Sequence, residues 1–392
     1  MTARVSPARE ATTEAARQAA QPLPNSNSIR LSWREWAITA FVFLAVLVLL
    51  SMFWPATGTQ FVCADYRLPS DLSSDYWMFR QWTRYGLAHY PAVILGDSVI
   101  WGQYAKNDDT LSHHLNALLG RTVFANMGVD GLHPAAMEGM VTYYGGALTD
   151  APVLVHLNPL WLASREQDLQ EAGQGETRFN HPKLVAQVLH RPSAYHPTAT
   201  EVTTALLERQ VPFLSWKEHL IATYYGGMAP TEWSLENPYM LVSEDRGPSS
   251  FSAEDPGSPP MPWRERGIEP QDMPWIQPAD SYQWHAFQRT IRVLKSGGNR
   301  VFVLLGPFNI HALTPASQAR YQAATAAMAK WLTREHVPYY APPVLPTDLY
   351  GDASHPLGEG YRQLAEELFS SPSFREWRKS WAPDKPHTGG EA

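Results

Sequence analysis

Residues 93–102 read VILGDSVIWG. Three apolar residues end in Gly96-Asp97-Ser98, and a second apolar run, Val99-Ile100-Trp101, follows directly. A buried strand that turns sharply into a helix has this form, because Gly, Asp and Ser favour such turns. Two readings are open at Ser98: a helix cap, or an activated nucleophile. Partners elsewhere in the chain decide between them.

Short apolar runs and helical patterns alternate on either side of this stretch. Ala92–Leu95, Thr122–Asn126, Pro152–Leu157, Arg300–Leu305 and Val337–Tyr340 read as strands. Thr110–Leu119, Pro134–Leu148, Tyr282–Leu294, Ala316–Arg334 and Leu357–Phe369 carry helical spacing. Strands that alternate with helices predict a parallel sheet covered on both faces, a three-layer α/β/α sandwich of flavodoxin-like form. The rhythm fails between about residues 165 and 280, where segments such as EDPGSPPMPWRERGIEPQDMPW (254–275) are rich in Pro. We read this stretch as an insertion over the substrate side of the sheet, with helical pieces at Lys183–Leu189 and Ala199–Arg209.

The segment Ala37–Trp54 carries no charge. As a helix it spans roughly 27 Å, the thickness of a bilayer's hydrocarbon core. Trp36 and Trp54 flank it like interfacial aromatics. Arg17, Arg30 and Arg34 precede it closely, and Arg67 is the first basic residue after it. That bias predicts an N-terminus in the cytoplasm and an exported remainder. Ser51–Gly58 holds bulky residues and no Ala-x-Ala site, so an uncleaved anchor is expected rather than a removed signal peptide. The expected organisation is a disordered cytoplasmic tail (1–34), a transmembrane anchor (35–56), one large domain (57–382) and a disordered end (383–392).

A net charge of −7 without a basic cluster argues against nucleic acid. Cys63 is the single cysteine, which excludes an intrachain disulfide and a cysteine zinc cluster. Asp108-Asp109 and His113-His114 are sequence neighbours whose side chains point apart on a helix, so no shared metal site is expected. No cofactor is implied.

In an open α/β sheet, sites form where strands end. Gly96-Asp97-Ser98 follows the first strand, and Asn126-Met127-Gly128-Val129-Asp130-Gly131 surrounds the end of the second. Asn158-Pro159 follows the third, and Asp352-Ala353-Ser354-His355-Pro356 precedes the last helix. A serine hydrolase needs a nucleophile, a base, an acid to orient the base, and donors for an oxyanion. These positions can supply all four.

With GDS at 96–98, NMGVDG at 126–131, LN at 157–158 and DASHP at 352–356 in this order, the chain resembles the SGNH/GDSL hydrolase superfamily over about residues 90–160 and 298–370. The resemblance implies Ser98 as nucleophile, His355 as base and then acid, and Asp352 as the group orienting His355. It also implies an oxyanion hole from the Ser98 and Gly131 backbone N–H groups and the Asn158 side chain. Many members have Gly-x-Asn-Asp at the third block, whereas this chain has His156-Leu157-Asn158-Pro159. Val99, Ile100 and Trp101 would make the pocket lip apolar, a feature that also suits a lipid ester. Trp101, His133 and Trp161 are candidate substrate-binding residues, and Asp130 reads as a solvated loop acid.

One N-terminal helix followed by an exported domain of this kind is similar to proteins that work beside membrane-bound O-acyltransferases on envelope polymers. The expected function is an extracytoplasmic serine esterase or O-acyltransferase. Its expected substrates are acylated, especially acetylated, glycans or small esters, and a membrane O-acyltransferase is a possible partner by analogy. The alternative is a catalytically silent domain that binds glycan or scaffolds an acylation complex, for which Trp- and Tyr-rich loops are suited.

Overall fold

The computed structural model describes residues 31–53, 61, 63–68, 75–106, 108–171, 192, 194, 198–240 and 260–381. The helical piece expected at Lys183–Leu189 and most of both tails lie outside these residues. The chain divides into two compact units, Met1–Phe53 and Trp54–Ala392.

In the first unit, helix α1 runs Trp33–Phe53. It starts two residues before the expected anchor, because Ser32 and Glu35 form a capping box. The Ser32 backbone N–H donates to Glu35 Oε2 (2.7 Å), and the Glu35 N–H donates to Ser32 Oγ (3.4 Å). Its residues 33–50 are long and apolar enough to cross a membrane.

The second unit is α/β. Its elements in chain order are α2 (Tyr76–His89), β1 (Ala92–Gly96), α3 (Ser98–Trp101), α4 (Leu111–Leu119), β2 (Phe124–Gly128), α5 (Pro134–Tyr143) and β3 (Pro152–Leu157). There follow α6 (Ala199–Gln210), α7 (Pro212–Tyr225), α8 (Pro230–Glu236), α9 (Tyr282–Ser296), β4 (Arg300–Leu305), α10 (Pro315–Arg334), β5 (Tyr339–Tyr340), α11 (Gly358–Ser370) and α12 (Pro372–Lys379). The five strands form one sheet in the order β2-β1-β3-β4-β5. Every neighbouring pair is parallel.

Strand side chains alternate between two separate apolar clusters, as the period of two requires. Val93, Ala125, Val153 and Val301 join Trp82 (α2), Met137 (α5), Phe287 (α9) and Met328 (α10). Ile94, Phe124, Leu154 and Phe302 join Ile100 (α3), Leu115 (α4), Leu364 (α11) and Phe374 (α12). The strand order reverses between β1 and β3: the chain leaves β1 for one edge and β3 for the other. Ligand crevices of open α/β sheets form at the carboxyl ends of the strands flanking such a reversal. Ser98 and Asn158 follow those two strands.

Several boundaries differ from the sequence reading. Strand β2 lies two residues later than expected, because the Asn126 side chain turns inward instead of ending the strand. Helix α5 stops at Tyr143, ahead of Gly145 and Gly146. The last strand shrinks to Tyr339–Tyr340. Helix α2 was not anticipated; Asp75 caps it, accepting from the Met78 N–H at 2.9 Å. Beyond the expected Ala199–Arg209, the Pro-rich region also holds α7 and α8, each with proline in its first turn. A proline at that position starts a helix rather than breaking it.

Candidate active site

The turn after β1 is built for close approach. A Cβ at Gly96 would stand 2.3 Å from Ile100 Cγ1 and 2.8 Å from His156 Cβ. One at Gly128 would stand 2.2 Å from the Trp101 backbone nitrogen and 2.6 Å from the Ile100 carbonyl carbon. Glycine at both positions lets α3 lie against the ends of β1 and β2. Because the atoms facing Gly128 are backbone, they cannot swing aside. Gly128→Ala is expected to cost about 1–3 kcal/mol and lower Tm. Gly146→Ala, whose added methyl meets nothing within 4 Å, should leave Tm close to wild type in the same calorimetric scan.

Asp97, not Ser98, caps α3: its side chain accepts from the Val99 N–H at 3.1 Å. Capping therefore does not occupy the Ser98 hydroxyl. Ser98 Oγ lies 2.8 Å from His355 Nε2. On the other side of the ring, His355 Nδ1 lies 2.7 Å from Asp352 Oδ2 and 2.8 Å from Oδ1. A carboxylate at Nδ1 fixes the proton there, so Nε2 is the acceptor and Ser98 the donor. The structure thus brings Ser98, His355 and Asp352 together in one relay.

Two further groups hold the loop that carries the relay. Asp352 Oδ1 accepts from the Ser354 and His355 backbone N–H groups at 2.9 and 3.0 Å. Asn309, beyond β4 and fully buried, donates its side-chain amide to the Asp352 carbonyl (3.0 Å) and its backbone N–H to the Ala353 carbonyl (2.9 Å).

Burial alone would push the Asp352 carboxyl up. The His355 charge and the donated hydrogen bonds outweigh it and hold the pKa at about 2. Burial pulls the His355 imidazole down, but Asp352, then Asp97 and Asp130, more than offset this and raise it above its ordinary value. A general base must be neutral, so kcat/KM should fall as pH drops through an apparent pKa above 6.5. A pH–rate profile on a neutral ester checks this; a limb below 6.5 contradicts it.

The remaining expected site residues divide. Asn158 stands at the end of β3, and its amide nitrogen donates to Asp97 Oδ2 at 2.9 Å while its oxygen accepts from the Leu160 N–H at 3.0 Å. Gly131 has φ +69, in the turn that follows Asp130. Trp161 is half-buried and donates its indole N–H to Asp97 Oδ2 at 3.0 Å.

Trp101 is corrected: it is 1% exposed, its indole N–H donates to the Leu68 carbonyl, and the Arg67 guanidinium covers its ring at 5.2 Å. It belongs to the core, as do Val99 and Ile100, so the apolar lip expected here is absent. His133 is buried and caps α5 by accepting from the Ala136 N–H at 3.2 Å, and its ring meets Trp161 edge-on at 5.6 Å. Asp130 is half-buried rather than solvated. Burial raises its pKa, and its charge bears on His355.

Sequence reasoning missed the groups that clamp the nucleophile turn from below. Asn126 donates its amide to the Ile100 carbonyl (2.9 Å) and to Asp65 Oδ1 (3.0 Å). Arg67 donates to the carbonyls of Gly102 (3.1 Å) and Ala105 (3.3 Å). Asp97 is the centre of a buried network: besides Asn158 and Trp161, His156 Nδ1 lies 3.1 Å from its Oδ1. Burial raises the Asp97 pKa, but His156, His355 and Asn158 bring it below the ordinary carboxylate value. An Asp before a candidate nucleophile, with a His on the neighbouring strand, was the available sign. Among the described residues no group of three or more His, Cys, Asp or Glu is placed to hold a metal ion, and His114 Nε2 is 3.8 Å from Asp109 Oδ1.

No family model matches this chain, and no curated protein matches it in sequence.

Proposed function

We propose that this chain is a membrane-anchored, extracytoplasmic SGNH-type serine esterase or O-acyltransferase. Its substrates are acyl esters, acetyl first among them, of a cell-envelope polysaccharide. The observation that carries the reading is the continuous relay Ser98 Oγ–His355 Nε2, His355 Nδ1–Asp352, at the carboxyl ends of a parallel sheet. The two apolar clusters on alternate strand residues support a three-layer α/β/α sandwich behind it. Helix α1, with Arg17, Arg30 and Arg34 on its N-terminal side, supports a single anchor with the N-terminus inside.

The chemistry follows from the geometry. His355 Nε2 takes the Ser98 proton as Oγ attacks the acyl carbonyl, and Asp352 stabilises the imidazolium that results. The oxyanion would be met by the Ser98 N–H, which as the first residue of α3 has no intrahelical acceptor. The Gly131 N–H and the second N–H of the Asn158 carboxamide would be the other donors. Collapse returns the proton to the leaving alkoxide and leaves the acyl group on Ser98. Water or a sugar hydroxyl, deprotonated by the same imidazole, then releases it. A sugar acceptor suits a partner membrane O-acyltransferase that supplies acyl groups.

A second reading, a catalytically silent glycan-binding or scaffold domain, draws on one observation. The Asn158 amide already donates to the buried Asp97 carboxylate at 2.9 Å. Acetate release from p-nitrophenyl acetate and from acetylated xylan separates the two. Turnover supports the enzyme; saturable binding of the glycan with no acetate released supports the scaffold.

A further inference from the structure

Residues 260–268 return from the Pro-rich region onto the loop that carries Asp352. Trp263, 1% exposed, donates its backbone N–H to the Tyr350 carbonyl (2.9 Å) and its indole N–H to the Thr347 carbonyl (3.0 Å). The Ile268 N–H closes back on the Trp263 carbonyl at 3.2 Å, and Gly267 takes φ +73 in the turn. Arg266, in this turn, is exposed, and its guanidinium lies 4.4 Å from the centre of the Tyr104 ring. Tyr104 meets the His355 ring edge-on at 5.8 Å. Together the two distances keep the guanidinium within about 10 Å of the imidazole.

Tyr104 is a held platform. Its backbone sits at φ +61, and its ring occupies the space where a Cβ at Gly351 would come within 2.4 Å. Such a φ in a bulky residue persists only where the surroundings impose it. Burial pushes the Tyr104 hydroxyl up, Asp352 adds to that push and Arg266 opposes it.

The charges that act most on His355 are acidic, Asp352 first, then Asp97 and Asp130. A neutral ester is indifferent to them. An anionic substrate would be repelled unless a cation met it at the rim, and a guanidinium fork fits an oxyanion group. We propose that Arg266, seated on Tyr104, binds a carboxylate or phosphate that neighbours the scissile ester, so that the site selects acylated acidic glycans. This rests on the esterase reading for the ester, but not for the anion.

The test uses the full chain. Wild type and Arg266→Gln are compared on p-nitrophenyl acetate, an O-acetylated methyl glucuronide and an O-acetylated glycerol phosphate. The ratio of kcat/KM for the anionic ester to that for p-nitrophenyl acetate should fall about tenfold in the variant, through KM, with partial recovery in Arg266→Lys. The arm that falls further identifies carboxylate or phosphate as the preferred group. In parallel, binding of polyglucuronate to Ser98→Ala protein is titrated with and without Arg266→Gln, and the affinity should also drop about tenfold. Unchanged ratios together with unchanged binding overturn the inference. Arg266-dependent binding in a protein that turns over no ester upholds the inference and overturns the esterase reading instead.

Discussion

Ser98→Ala is expected to lower kcat for p-nitrophenyl acetate by about 10⁶, to the level of the uncatalysed reaction plus residual binding effects. The size follows from how the site is divided. The Ser98 hydroxyl is the atom His355 Nε2 faces at 2.8 Å, and Asp97 already caps α3, so the variant loses the nucleophile and keeps the helix. The fold should therefore survive, and an unchanged thermal transition beside the loss of turnover separates chemistry from collapse. His355→Ala should cost about as much, and the double variant little more than either alone, because the two act as one unit. Additive losses would mean that they do not.

Asp352→Asn is expected to lower kcat by about 10⁴. The carboxylate fixes the proton on His355 Nδ1; an amide can present its own N–H there and leave the proton on Nε2, where it blocks the base. The same substitution removes the charge that most raises the His355 pKa, so the acid limb of the pH profile should move down even as the plateau falls. Asp352 itself, held at about 2, stays ionised through the whole working range. A large fall in rate with the acid limb unmoved would contradict the assignment of Asp352 as the group acting on His355.

Much of this was legible in the sequence where burial is uniform. Pro152–Leu157 and Arg300–Leu305 are apolar apart from His156 and the exposed Arg300 at one end, and both appear as strands with the expected bounds. The relay was legible because polar residues that a core would not tolerate unpaired mark the turns: Ser98 and Asn158 follow strands, and Asp352 and His355 stand in the loop before α11. Trp101 misled because its nearness to Ser98 in sequence was read as nearness to the pocket lip. Helix α3 is a single turn pressed on Gly128, and its far end faces the interior beneath Arg67. Asp65, Arg67 and Tyr104 lie in segments without periodicity, and their roles come from partners 34 or more residues away or from a positive φ. Neither feature leaves a local mark. The helices α7 and α8 were hidden by the very prolines that start them.

The central claim is that His355 makes Ser98 nucleophilic. A fluorophosphonate reacts with such a serine and with few others, so peptide mass spectrometry after labelling reads the claim directly. The expected result is a single stoichiometric adduct on Ser98 in wild type and none at that peptide in His355→Ala. An unlabelled wild-type Ser98, or labelling that persists without His355, would contradict it.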